Sequence, residues 1–107
     1  MSHFRLTTHL SQIVEDSHTE SVIIFIHSAD CNGSGRVYDE IKRRLEEKRL
    51  IVPIYLVTVQ EMPVLSKKIE DFFDIKHESP QVLILNKGKV VYTAHHDAIN
   101  INNFVFE

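Results

Sequence analysis

Val22-Ile23-Ile24-Phe25-Ile26-His27-Ser28-Ala29-Asp30-Cys31-Asn32-Gly33-Ser34 takes the one cysteine of the chain out of a short apolar run and into the start of an amphipathic stretch near Gly35. The run 22–26 is apolar at every position, as a strand covered on both faces requires. The Ser, Asp, Asn and Gly residues after it suit an exposed loop and a helix cap rather than a core. Cys31 therefore falls between the end of a buried strand and the start of a helix. Free backbone N–H groups and the positive end of the helix dipole stabilise a thiolate there. A thiol so placed can fall from its usual pKa of about 8.5 into the range of ~3.5–7.5. Asp30 opposes that shift, because an adjacent negative charge disfavours the thiolate. The spacing Cys31-x-x-Ser34 is that of a dithiol redox motif with serine in place of the second cysteine. With no second thiol in the chain, any exchange chemistry borrows one from outside.

Around this stretch the apolar periodicity sets the elements. Leu6, Leu10, Ile13 and Val14 recur at helical spacing and predict an amphipathic helix that ends near Glu15-Asp16-Ser17-His18. Beyond the cysteine, Val37, Tyr38, Ile41 and Leu45 form one apolar side of a helix whose remainder is charged. Ile51 to Val59 is rich in β-branched residues and predicts a second strand, with Pro53 limiting pairing near its start to one side or an edge. Pro63 suits a first helical turn, and Leu65, Ile69, Phe72 and Phe73 supply the stripe of that helix. After a loop, Asp74 to Pro80, the runs Val82–Leu85 and Val90–Tyr92 flank Asn86-Lys87-Gly88-Lys89 and predict a β-hairpin. The tail from Asn100 to Phe106 suits one short helix capped by Asn100.

Two strands joined through a crossover helix run parallel, and a terminal hairpin adds antiparallel strands to the same sheet. The order helix, strand, helix, strand, helix, strand, strand, helix thus predicts an α/β chain of thioredoxin-like architecture. It implies a central mixed four-stranded sheet flanked by helices, as a single domain over residues 1–107.

The 107 residues are 43% hydrophobic and 25% charged, enough for one ordinary core. No apolar stretch approaches the ~20 residues of a membrane span. Met1-Ser2-His3-Phe4-Arg5 lacks the apolar core of a secretory signal. One cysteine excludes an internal disulfide framework and fits a reducing compartment, so the expected location is cytoplasmic. A net charge of −3 gives no basic excess to displace phosphate counterions, which argues against a nucleic-acid partner. The mixed run from Lys42-Arg43-Arg44 to Arg49 reads as a solvated helix face.

Several residues join Cys31 as candidates. Ser34 can donate its hydroxyl to the thiolate, cap the helix, or do both. Ser79-Pro80 precedes the first hairpin strand, where a proline removes one N–H and can adopt the cis isomer at a cost of ~0.5–1 kcal/mol. Substrate backbone can then pair beside Ser79; a trans proline that merely starts a strand is the plainer reading. His27 and His77 fall where this fold brings them towards Cys31, either as imidazolium ions that favour the thiolate or as ordinary surface histidines. Arg36, near the helix start, is a candidate for an anionic ligand. His95-His96 with His27, His77 or Cys31 could supply metal ligands, but adjacent histidines point apart and no two-cysteine zinc spacing exists, so no metal is expected.

Three segments together resemble the monothiol bacilliredoxin family: His27-Ser28-x-x-Cys31-x-x-Ser34-x-x-x-Tyr38, Ile75-Lys76-His77-Glu78-Ser79-Pro80-Gln81, and Tyr92-x-x-His95-His96-x-x-Ile99. The string His77-Glu78-Ser79-Pro80-Gln81 is the most specific of them. In this family the residue after the cysteine is usually proline, and here it is Asn32. The resemblance implies a cytosolic oxidoreductase of the stress response that removes bacillithiol from mixed disulfides on proteins. Cys31 would be the nucleophile, and Asn32, Ser34, Arg36, Ser79 and Pro80 would position the ligand. No bound cofactor is implied, bacillithiol being a cosubstrate, and the partners would be S-thiolated proteins and a low-molecular-weight thiol. Monothiol glutaredoxins are similar, but their Cys-Gly-Phe-Ser signature is replaced by Cys31-Asn32-Gly33-Ser34. A non-catalytic interaction or redox-sensing module of the same fold is the remaining alternative.

Overall fold

The computed structural model describes residues 4–5 and 34–35 by their backbone, and residues 9–28, 36–47, 52–76, 80–95 and 99 in full. The elements are β1 (Phe4–Arg5), α1 (Leu10–Ser17), β2 (Val22–His27), α2 (Ser34–Glu47), β3 (Ile54–Thr58), α3 (Pro63–Phe73), β4 (Gln81–Asn86) and β5 (Lys89–His95). The strands form one mixed sheet in the order β1-β3-β2-β4-β5. The four predicted strands are all present, and β2 and β3 pair in parallel as the crossover rule requires. Beside β2, β4 runs antiparallel, and β5 completes the hairpin. The fifth strand, β1, was not expected. It is two residues long and pairs at the edge of β3, too short to carry a period in the sequence. The first helix starts at Leu10, after an extended His9, and Leu6 lies outside the described residues.

Alternation along the strands divides the core in two. Val22, Ile24 and Ile26 of β2, with Tyr55, Val57, Leu83 and Leu85, pack under Ile13 of α1 and Leu65 and Ile69 of α3. Ile23 and Phe25, with Ile54, Val82 and Ile84, pack under Ile41 and Leu45 of α2. Every residue from 22 to 26 is buried, and each such side chain contributes about 1.5–3 kcal/mol by leaving water. Ile99 packs against the α2 side of the core; the expected tail helix over 100–106 lies outside the described residues.

Proline punctuates the elements. Pro53 stays just outside β3 and its carbonyl accepts the Ile23 N–H at 2.9 Å, so β3 can pair on both sides from Ile54 onward. Pro63 opens α3, and Asp74 ends it in the left-handed conformation (φ 52°, ψ 52°), its N–H bonding to the Glu70 carbonyl. The charged face of α2 is laced by Arg43–Glu47 at 3.3 Å and Arg44–Glu40 at 3.7 Å, as expected of a solvated face, while Arg49 of that run lies outside the described residues.

The hairpin turn is fixed by backbone chirality and by a polar anchor. Lys87 (φ 52°) and Gly88 (φ 75°) both have positive φ, the mark of a type I′ turn whose twist matches the strands. Ser17, fully buried at the end of α1, donates from Oγ to the Val14 carbonyl (2.6 Å) and accepts from the Gly88 N–H (2.9 Å). The Ser17 carbonyl accepts the Lys87 N–H at 2.7 Å. Asn86 donates to Ser21 Oγ at 3.0 Å beside it, and the Tyr55 hydroxyl donates to the Asp16 carboxylate.

A Cβ at position 88 would meet His18 and Val14 at an ordinary 3.5–3.6 Å, so space does not forbid it. Gly88→Ala should therefore destabilise through its backbone alone, by about 1–2 kcal/mol. Thermal unfolding checks this, at roughly 4–8 °C per kcal/mol for a domain of this size; an unchanged melting temperature would contradict the left-handed turn.

Candidate active site

The carboxyl ends of β2 and β3 and the amino end of β4 meet at one end of the sheet. The register sets a row across them. His27 is opposite Thr58, Ile26 is opposite Gln81, and Pro80, buried one residue before β4, stands level with His27. The end of β2 thus brings together two residues that are far apart in the chain, Thr58 and Pro80. Cys31 and Asn32 belong to the 29–33 connection between Ser28 and the first residue of α2, Ser34. Cys31, Asn32, Ser79, His77, His96 and the Ser34 side chain lie outside the described residues, as does the expected cis Ser79–Pro80 bond.

Two side-chain bonds join the ends of β2 and β3. Thr58 Oγ1 and His27 Nε2 are 2.8 Å apart, and Gln60 Nε2 donates to Ser28 Oγ at 2.6 Å. The backbone extends the pairing by one step, with the Val59 N–H donating to the His27 carbonyl at 3.0 Å. The turn then closes through the Met62 N–H to the Thr58 carbonyl at 2.8 Å. On the other side of β2, Gln81 Nε2 donates to the Lys76 carbonyl at 3.3 Å, which ties the start of β4 to the chain leaving α3.

His27 is half-buried, its ring stacked on Phe25 with centroids 5.8 Å apart and planes 18° apart. Phe25 in turn meets Tyr38 of α2 at 6.0 Å and 57°. Burial pulls the His27 pKa below its ordinary 6.5, and the Glu61 carboxylate opposes this less strongly. The imidazole is consequently neutral at pH 7, neither a standing cation nor a plain surface histidine. The Tyr38 phenol is pushed above 10 by burial and by the carboxylate of Asp39, so it too is neutral. Arg36, third residue of α2 and still in its first turn, is an exposed cation.

Sequence reasoning missed Thr58, Gln60 and Glu61. Thr58 fell at the end of a predicted strand with no motif to mark it, and only the β2–β3 register reveals its partner. A shallow groove lined by Leu10, Val14, His18 and Phe72 lies by the hairpin turn, at the other end of the sheet from His27. Among the described residues, no group of three His, Cys, Asp or Glu side chains could hold a metal ion. Nor, among them, is any helix long and apolar enough to cross a membrane.

A family model, monothiol bacilliredoxin BrxC, matches residues 4–104. Among solved structures, one assigned as an oxidoreductase with a thioredoxin fold is similar at 28% identity and a TM-score of 0.79, over 94% of this chain and 88% of the other. Thioredoxin from Fasciola hepatica superposes with a TM-score of 0.67 at 12% identity, over 88% and 86% of the two chains. Thioredoxin f from spinach chloroplast gives 0.67 at 18%, over 87% and 80%. The last two establish the fold.

The His27 ring should titrate below 6.5 when followed by NMR. Because the folded state binds this proton less readily than the unfolded chain, His27 contributes stability above pH 6.5 that is lost as pH falls towards its folded pKa. Replacing it with Phe should flatten that part of the stability profile. A ring that titrates at or above 6.5 would refute the neutral assignment.

Proposed function

The chain belongs to the monothiol bacilliredoxin family, and on that premise we propose that Cys31 is the nucleophile of a cytosolic enzyme that removes bacillithiol from mixed disulfides on proteins. Thiol–disulfide oxidoreductase chemistry follows from the family and from the thioredoxin-fold oxidoreductase it resembles. The observation that carries the finer reading is the place of the chain's one cysteine between the end of central strand β2 and the start of helix α2. The whole of residues 1–107 is taken as one domain.

In the first step the Cys31 thiolate attacks the bacillithiol sulfur. A new disulfide forms between Cys31 and bacillithiol, the bond between bacillithiol and the client breaks, and the client leaves as a thiolate that takes up a proton. In the second step an external thiolate attacks the same bacillithiol sulfur and releases the Cys31 thiolate. Each step exchanges one disulfide for another, so one protein cysteine suffices. Asn32 stands where proline would deny an N–H, which leaves one more donor near the start of α2 for the thiolate. Ser34 supplies a hydroxyl to the same place, and Ser79 and Pro80 present backbone for the ligand. Arg36 offers a bidentate donor to the carboxylates of bacillithiol.

Cys31 should be alkylated by iodoacetamide at pH 6 markedly faster than a free peptide cysteine, whose pKa is about 8.5. Mixed with a bacillithiolated protein, it should gain the mass of bacillithiol, and react more slowly with the glutathionylated counterpart. Arg36→Glu should narrow that difference. Cys31→Ser should abolish transfer with the fold intact. Retained transfer would place the chemistry elsewhere, and transfer from glutathione alone would overturn the substrate.

A further inference from the structure

The thiol of a monothiol enzyme has no neighbouring cysteine to set its reactivity, so the residues that hold its segment carry that task. β2 delivers the chain to this segment, and its last residue is pinned from the side. The bond between Thr58 Oγ1 and His27 Nε2 (2.8 Å) spans the ends of two parallel strands, and the one from Gln60 Nε2 to Ser28 Oγ (2.6 Å) repeats the link one residue later. A parallel sheet needs neither, since the Val59 N–H to the His27 carbonyl already continues the ladder. Half-buried and flat on Phe25, the imidazole can swing only by losing both the stack and the hydroxyl. The described groups around it are Thr58 and Glu61 from the end of β3, Phe25 on β2, Tyr38 of α2 beyond Phe25, and Pro80 at the start of β4.

We propose that Thr58 is a positioning residue for exchange: its hydroxyl clasps the imidazole of His27, and so holds the root of the segment that carries Cys31 from β2 to α2. Stabilisation of a thiolate by helix N–H groups and dipole fades within one turn. A small drift of the segment therefore weakens it and raises the thiol pKa. The clasp acts through His27, and the Ser28–Gln60 bond supports it one residue nearer the cysteine in the chain. The proposal rests on the reading of Cys31 as the nucleophile.

The two are separated by measuring alkylation as well as bacillithiol transfer. Cys31 is the only cysteine, so the mass gained from iodoacetamide reports its thiolate whatever the substrate. Thr58→Val should move the midpoint of the alkylation-pH profile upward, with the rate at pH 6 falling about three-fold, or about half a pKa unit. Transfer from a bacillithiolated protein should fall in parallel. Thr58→Ser should restore the wild-type profile. His27→Phe keeps the ring on Phe25 and loses the bond, so it should reproduce the shift, and the double variant should add nothing. Should Thr58→Val fail to fold, His27→Phe carries the test alone. A profile unmoved in His27→Phe or Thr58→Val, a Ser variant shifted as far as Val, or additive effects would overturn the clasp. Transfer retained in Cys31→Ser would instead overturn the underlying reading.

Discussion

Strand β2 is hydrogen-bonded along both edges and covered on both faces, and the rest of the molecule is arranged by that fact. Backbone groups buried away from water must pair, so a strand at the centre of a sheet needs neighbours on each side. β3 supplies the parallel one and β4 the antiparallel one. Its side chains alternate between two helical layers, with Ile24 beneath α1 and α3 and Phe25 beneath α2. A one-residue slip would exchange the two faces, so β2 can hold its register only where both layers fit at once. Its carboxyl end is therefore among the best-determined points of the fold.

Chemistry benefits from that rigidity. Thr58 and His27 end two strands, Pro80 directly precedes a third, and the three share one level because β2 fixes both registers. The aromatic column of Tyr38, Phe25 and His27 carries the same order into α2, the helix whose start follows the cysteine. If Cys31 is the nucleophile, the neutral His27 and Tyr38 side chains leave its charge to be balanced by backbone N–H groups, the helix dipole and Arg36. Such balance suits a family whose thiol trades partners with external thiols, because a thiolate too strongly stabilised would be a poor nucleophile.

The opposite end of the sheet is held by polar contacts of another kind. Ser17 joins α1 to the hairpin turn through its side chain and its carbonyl, and Asn86 bonds to Ser21 within the protein. These bonds lock β4 and β5 against the start of β2, so the strand that ends beside the candidate site is anchored at its beginning as well.

The amino-acid sequence by itself determined the elements and their order. The unbroken apolar run of β2, the one-sided stripe of α2, the proline at the head of α3 and the Asn86-Lys87-Gly88-Lys89 turn are local signals, and period, chirality and crossover handedness turn them into an α/β sheet. The cysteine's position was legible for the same reason, since strand end and helix start are read from neighbouring residues. The edge strand Phe4–Arg5 was not, because two residues carry no period and their pairing belongs to β3. Nor were Thr58, Gln60 and Glu61, whose meaning depends on a register between segments some thirty residues apart. The charge state of His27 was equally hidden, as it follows from burial prevailing over the opposing Glu61 carboxylate rather than from its chain neighbours. Tertiary structure decided these because desolvation and cross-strand hydrogen bonding act between groups that only the folded sheet brings into contact.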